Sequence, residues 1–263
     1  MKLGRNRPAP NLRTGHKMAA KYFDAANMPP VPDAFDFSNL NATPLADVLA
    51  NDSLGDCTSA GAGHLIDIFT GGGGSPIAIT AAEAVAFYSL STGYVPGDAA
   101  TDQGGDEVTV LTTWRDKGYD GKGGHAIAGF VQVDAGNAAL LKASAFYFGG
   151  LYFGLDLPDT YTNPFPSSNG FVWGPGTPNP SQGHCIVGLG ADLTGIHIDS
   201  WGLFGTITYP AIAQLCSDSA GGMVFAVISK EWISATSQRS PGALDWAQLS
   251  ADFAAADGGT VAA

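Results

Sequence analysis

Three residue types with acyl-transfer chemistry stand at informative places in the 263-residue chain. Cys57 opens a run of small residues, CTSAGAG, that reads as the start of a closely packed helix, with Asp56 in front of it as a candidate N-cap. A thiol at a helix N-terminus becomes a nucleophile when a neighbouring imidazolium stabilises its thiolate, and that histidine can lie far away in sequence. His184 begins a downstream apolar, β-prone run, and Asp199 lies on the next one. Alternation along this second run puts Ile196 and Ile198 on one face and His197, Asp199 and Trp201 on the other. A carboxylate beside an indole suits the orienting and shielding of an imidazole. Cys185, on the opposite face of its strand from His184, reads as a small core residue, and His64, two helical turns after Cys57, reads as a packed core residue rather than a second base.

These residues need a scaffold, and composition bounds it. With 45% hydrophobic and only 14% charged residues, the chain supports one large domain or two modest lobes around a real core. The three cysteines are far apart and odd in number, which argues against a disulfide framework or zinc knuckle and for a reducing compartment. Five histidines without H-E-x-x-H spacing give no metal site, and no cofactor is expected. No apolar run approaches the roughly 20 residues of a membrane span. The opening MKLGRNRPAP lacks the apolar block of a secretory signal, so the expected location is cytoplasmic or particle-borne, as in a virion.

Six of the twelve basic residues, Lys2, Arg5, Arg7, Arg13, Lys17 and Lys21, precede the first acid, Asp24. The body is therefore strongly acidic and unsuited to nucleic acid. The basic arm is a candidate tether to an acidic assembly or capsid partner.

Residues 1–30 read as that arm, 31–235 as the folded domain and 236–263 as a C-terminal tail. Helices are expected from Cys57 to Phe69, from Thr80 to Leu90 with a Thr80/Glu83 capping box, and from Val108 to Lys117 with Gly118 as C-cap. GGGGSP at 71–76 is expected to be loop. After Gly129 short strands dominate: FVQV, FYFGGLYFGLDL, HCIVGLG, GIHIDSW, GTITYP and MVFAVIS. A helical part at about 45–128 followed by a sheet part at about 129–235 predicts an α+β fold of two lobes with a cleft between them. Six prolines between Pro158 and Gln182 mark a long structured loop before the His184 strand.

Several segments resemble the papain-like cysteine peptidases, in particular their bacterial and viral relatives. NDSLGDCTSAGA (51–62) is similar to the family's Gln-x-x-x-Gly-x-Cys helix entrance. GHCIVGLGAD (183–192) is similar to its Gly-His-Ala strand, and IDSWGLFGTITYP (198–210) to its Asn-Ser-Trp-Gly element. DQGGDEVTVLTTWRDKGY (102–119) resembles its Gly-Gly segment and following helix, and VPDAFDF (31–37) its mature N-terminus. The resemblance implies a two-lobe fold with a helical N-terminal lobe, an antiparallel β-sheet or barrel C-terminal lobe, and the active site between them. It implies Cys57 as nucleophile, His184 as general base and then acid, and Asp199 in place of the His-orienting Asn. Trp201 would shield that contact. Asn51 falls where the family has its oxyanion Gln, and Gly104 and Gly105 where a peptide substrate adds as a strand. About 30 residues precede the mature-like start, too few for the family's usual inhibitory pro-segment. Two functions follow as alternatives: a cysteine peptidase working by Cys-His-Asp acyl transfer, or a weakly active or inactive papain-fold component of a virus particle or similar assembly, held by its basic arm.

Overall fold

The computed structural model describes residues 1–8, 30–217 and 219–235. Its centre is helix α1 (Cys57–Gly72), in which every residue from Cys57 to Thr70 is buried. The small residues explain how a helix can be enclosed on all sides. A Cβ on Gly61 would lie 3.1 Å from Cys185 Sγ, and one on Gly63 2.9 Å from the Tyr119 hydroxyl, so the helix backbone sits close to the sheet on one side and to the connecting segments at Leu49, Ile79 and Tyr119 on the other. The helix runs two residues into the GGGGSP run, so 71 and 72 are helical rather than loop.

Helix α2 (Ala81–Thr92) has the expected capping box, in which Glu83 N–H donates to the Thr80 hydroxyl and Thr80 N–H donates to Glu83 Oε2 at 2.8 Å. Helix α3 (Glu107–Lys117) is capped by Asp106 and ends at Gly118, whose φ of 73° favours glycine. Trp114 anchors α3, fully buried, with its indole N–H donating to the His125 carbonyl at 2.6 Å.

The sheet is built from β1 (Phe35–Asp36), β2 (Ile127–Gln132), β3 (Leu151–Asp156), β4 (Phe171–Trp173), β5 (Gly183–Ala191), β6 (Gly195–Ser200), β7 (Leu203–Thr208) and β8 (Met223–Ser229). Their order is β2-β8-β3-β5-β6-β7-β4, with β1 added to β5. Every pairing among these strands is antiparallel except β4 with β7. Helices precede sheet along most of the chain, and the α+β expectation holds.

Side chains alternate across β5. Cys185, Val187 and Leu189 join α1, α2 and α3 in one core, while Ile186 belongs to a second core on the other face with helix α4 (Ala138–Phe148). α4 corrects the sequence reading of FYFGGLYF as continuous sheet. Phe146–Phe148 close a helix capped by Asn137, Gly149 ends it at φ 80°, and only then does β3 begin. The proline-rich loop holds a short helix, α5 (Asp159–Thr162), and strand β4. Helix α6 (Tyr209–Leu215) follows β7, and α7 (Lys230–Ala235) follows β8.

Candidate active site

Cys57 is the first residue of α1, where first-turn N–H groups have no partner within the helix. Asp56 precedes it without capping it through its side chain. Its carboxyl is instead buried, and burial pushes its pKa up to about 7 against the pull of a hydrogen bond from Asn51. Asn51 donates to Asp56 Oδ1 at 3.2 Å and to the Leu54 carbonyl at 3.0 Å. Both bonds start from the one amide nitrogen, so the side chain expected to serve an oxyanion is tied into its own loop.

His184 is the second residue of β5 and is 1% exposed. The β6–β7 hairpin sets its surroundings. Ser200 pairs with Leu203, leaving Trp201 and Gly202 as a two-residue turn, both at positive φ (55° and 72°), as such tight hairpins require. That turn lays the Trp201 ring on His184, with centroids 3.9 Å apart and planes 16° from parallel. Trp201, expected to shield a contact between His184 and Asp199, covers the imidazole itself.

The carboxylate differs from expectation. Asp199 pairs with Val187 and so shares its sheet face, the one toward α1. Its Oδ2 lies 3.7 Å from His64 Nε2, and neither carboxylate oxygen has a hydrogen-bond partner among the described residues. One residue on, and on the opposite face, the Ser200 hydroxyl meets His184 Nε2 at 3.1 Å. Ser200 thus makes the contact that Asp199 was expected to make. His64, read from the sequence as core, is buried but belongs to this neighbourhood.

Cys57, His184, Asn51, His64, Asp199, Ser200 and Trp201 line one cavity of about 20 Å³, room for about one water. Another cavity, about 290 Å³, lies around Asp36 and His197 and is not lined by Cys57 or His184. Enclosure disfavours charge on both reactive groups. Burial pushes the Cys57 thiol up to about 12, although backbone N–H groups of Cys185 and Gly4 pull it down, and burial drives His184 down to about 3. His64 falls to about 4 and Asp199 rises well above the carboxylate range, both mainly through burial. In this closed form thiol and imidazole are neutral. No group of three or more His, Cys, Asp or Glu among the described residues could hold a metal ion.

The enclosing element is the N-terminal arm. Gly105 N–H donates to the Gly4 carbonyl at 2.8 Å, and Asn6 N–H donates to the Gly105 carbonyl at 2.9 Å, a parallel bridge centred on Arg5. The Gly4 and Arg5 N–H groups both donate to the Gly183 carbonyl, at 3.1 and 3.0 Å, and Lys2 N–H donates to the Asn51 carbonyl at 2.9 Å. The segment fits because its track is bare. A Cβ on Gly104, already at φ 75°, would lie 1.8 Å from the Gly4 carbonyl oxygen, and a Cβ on Gly4 1.9 Å from that of Gly55. The arm thus makes an isolated parallel bridge at Gly105, where a substrate strand was expected.

The same contacts give the tether reading no support. Lys2 pairs with Asp102, Arg5 with Glu107 and Asp156, and Arg7 with Asp156, so these three cations face the chain's own acids. Burial alone would strip charge from Arg5, but Glu107 and Asp156 more than offset it and raise its pKa. Arg13, Lys17, Lys21 and the tail at 236–263 lie outside the described residues. The roughly 30 residues expected to be too few for the family's usual pro-segment nevertheless place residues 2–6 against Asn51, Gly105 and Gly183.

Neither a family sequence model nor a curated protein sequence matches the chain. Solved structures do. Xylellain, a cysteine protease from Xylella fastidiosa, aligns over 86% of this chain and 95% of its own with a TM-score of 0.60 at 14% identity. The chain has a papain-like fold. The procathepsin B S9 of Trypanosoma congolense aligns over 87% of each chain (TM-score 0.58, 11% identity). The cysteine protease CMS1MS2 of Carica candamarcensis aligns over 74% of this chain and 97% of its own (TM-score 0.51, 17% identity). At these identities the shared property is the papain-like architecture.

Proposed function

We propose that the chain is a cysteine peptidase in which Cys57 is the nucleophile and His184 its general base and acid. The observation that carries this reading is the meeting of Cys57, at the N-terminus of α1, and His184, under the Trp201 ring, in one cavity of a papain-like fold. His184 takes the thiol proton as Cys57 Sγ attacks a peptide carbonyl. The tetrahedral oxyanion is met by the Cys57 backbone N–H at the start of α1. His184 then returns its proton to the leaving amine, leaving a thioester, and subsequently activates the water that hydrolyses it. Ser200 holds the imidazole and Trp201 keeps water from that contact.

Asn51 contributes to the oxyanion only if it leaves Asp56, and one missing donor slows turnover by about 10²–10³-fold. The arm makes the closed form a resting state. Peptides reach Cys57 only when residues 2–6 leave Gly105 and Gly183. Intact-mass labelling with a peptidyl epoxide tests the assignment. One adduct per chain, absent from Cys57→Ala and His184→Ala, supports the reading, and label that persists in folded Cys57→Ala refutes it.

A further inference from the structure

The arm lies over the thiol through the Gly4 backbone, and the next side chain, Arg5, enters a pocket that the catalytic steps do not use. Its guanidinium is fully buried. Nε donates to Glu107 Oε1 at 2.6 Å, Nη1 to Asp156 Oδ1 at 2.9 Å and Nη2 to the Gly221 carbonyl at 2.7 Å. Three acceptors from α3, the end of β3 and the β8 approach thus match a planar fork, which an ammonium cannot reproduce. The pocket also retains acceptor capacity, since Glu107 Oε2 is buried without a hydrogen-bond partner among the described residues. Its wall is shaped for this group, because a Cβ on Gly154 would lie 1.3 Å from Glu107 Oε1 and 2.9 Å from Arg5 Nε.

We infer that this pocket, once the arm has left, selects an arginine side chain of a peptide bound in the cleft, with Glu107 and Asp156 as the specificity-determining residues. The inference rests on the peptidase reading for its biological sense, but arginine capture is a binding property that requires no chemistry. When the arm leaves, Glu107 loses Arg5 and Asp156 loses both Arg5 and Arg7, so a peptide lacking a guanidinium leaves two buried carboxylates with uncompensated charge. Discrimination should therefore exceed what the lost contact area alone would give.

The test uses the full chain carrying Cys57→Ala, which removes the nucleophile, together with Arg5→Ser and Arg7→Ser, which free Glu107 and Asp156 of the arm's cations. Fluorescence anisotropy with labelled acetyl-Leu-Gly-Arg-Asn-amide is compared with the same peptide bearing lysine or norleucine in place of arginine. The expected result is at least tenfold tighter binding of the arginine peptide, with the preference lost on adding Glu107→Gln or Asp156→Asn. Either substitution suffices, should the other fail to fold. Equal binding of the three peptides, no binding by any of them, or a preference that survives both substitutions overturns the inference. Epoxide labelling of Cys57 in the chain that retains it decides the peptidase reading separately, so either can fail without the other.

Discussion

Gly4→Val separates access to the thiol from its chemistry. The substituted side chain would place its first carbon 1.9 Å from the Gly55 carbonyl oxygen and 2.2 Å from its carbon, and both are backbone atoms ahead of α1 that cannot yield cheaply. Docking of the arm is held by five backbone hydrogen bonds involving Lys2, Gly4, Arg5 and Asn6, and by the buried Arg5 contacts. Each bond contributes about 0.5–1.5 kcal/mol net, which does not by itself offset about 1–2 kcal/mol of backbone entropy for each residue ordered, so docking depends on the buried Arg5 contacts and its net free energy is modest. A clash that removes about 2 kcal/mol of it raises the open population about 30-fold while that population is small. Cys57 is 2% and His184 1% exposed when the arm is docked, so labelling reports this opening. The assay is the second-order rate of epoxide labelling of Cys57, with circular dichroism to confirm the fold. The expected result is a rise of about tenfold or more in Gly4→Val. An unchanged rate in a folded variant would refute the arm as the gate.

Other outcomes follow from the same geometry. Ser200→Ala should lower the labelling rate of the opened chain by about 5–30-fold through loss of a hydrogen bond to the imidazole, whereas Asp199→Asn should change it less than threefold; the reverse order would return the orienting role to Asp199. In the closed chain neutral thiol and imidazole predict labelling that climbs with pH without a neutral plateau, while Gly4→Val should show a plateau reached at lower pH; matching profiles would remove desolvation by the arm as the cause. The folded His184 pKa, about 3, lies below its unfolded value near 6.5, so the unfolded chain binds more protons between them and stability falls as pH drops through that window. Asp56 acts oppositely. Its folded pKa near 7 exceeds the usual 3.8, so its contribution is present below about pH 4 and is lost as pH rises from there to about 7. Asp56→Asn should therefore be more stable than the parent at pH 8 in urea titrations and show no such advantage near pH 4; an equal effect at both values would exclude titration as the cause.

Local chemistry made much of the fold legible. The Thr80/Glu83 box, the Gly118 stop and the small-residue run after Cys57 are short-range signals, and each produced its helix. The FYF segment failed because a short apolar run is equally compatible with buried helix and buried strand, and the deciding Gly149-Gly150 break was read as part of the strand. At the site, alternation alone grouped Asp199 with Trp201. Pairing register decides which face meets His184, and it placed Asp199 beside Val187 and left the contact to Ser200. Spacing alone points Asn51 at an oxyanion, whereas its amide is held by Asp56, an acid whose burial that spacing does not report. The arm itself joins residues about a hundred positions apart, such as Arg5 and Glu107, which no local pattern reports. A signal did exist, in the concentration of bases before Asp24 against a body rich in acids, with Glu107 two positions after the Gly104-Gly105 pair.

The central claim is peptide hydrolysis at Cys57, and the most direct measurement is proteolysis by the opened chain. Gly4→Val incubated with a denatured protein substrate should generate new N-termini, identified by mass spectrometry, that are absent when Cys57→Ala or His184→Ala is added. Cleavage that persists without Cys57, or its complete absence from a folded Gly4→Val chain whose thiol labels rapidly, would contradict the account.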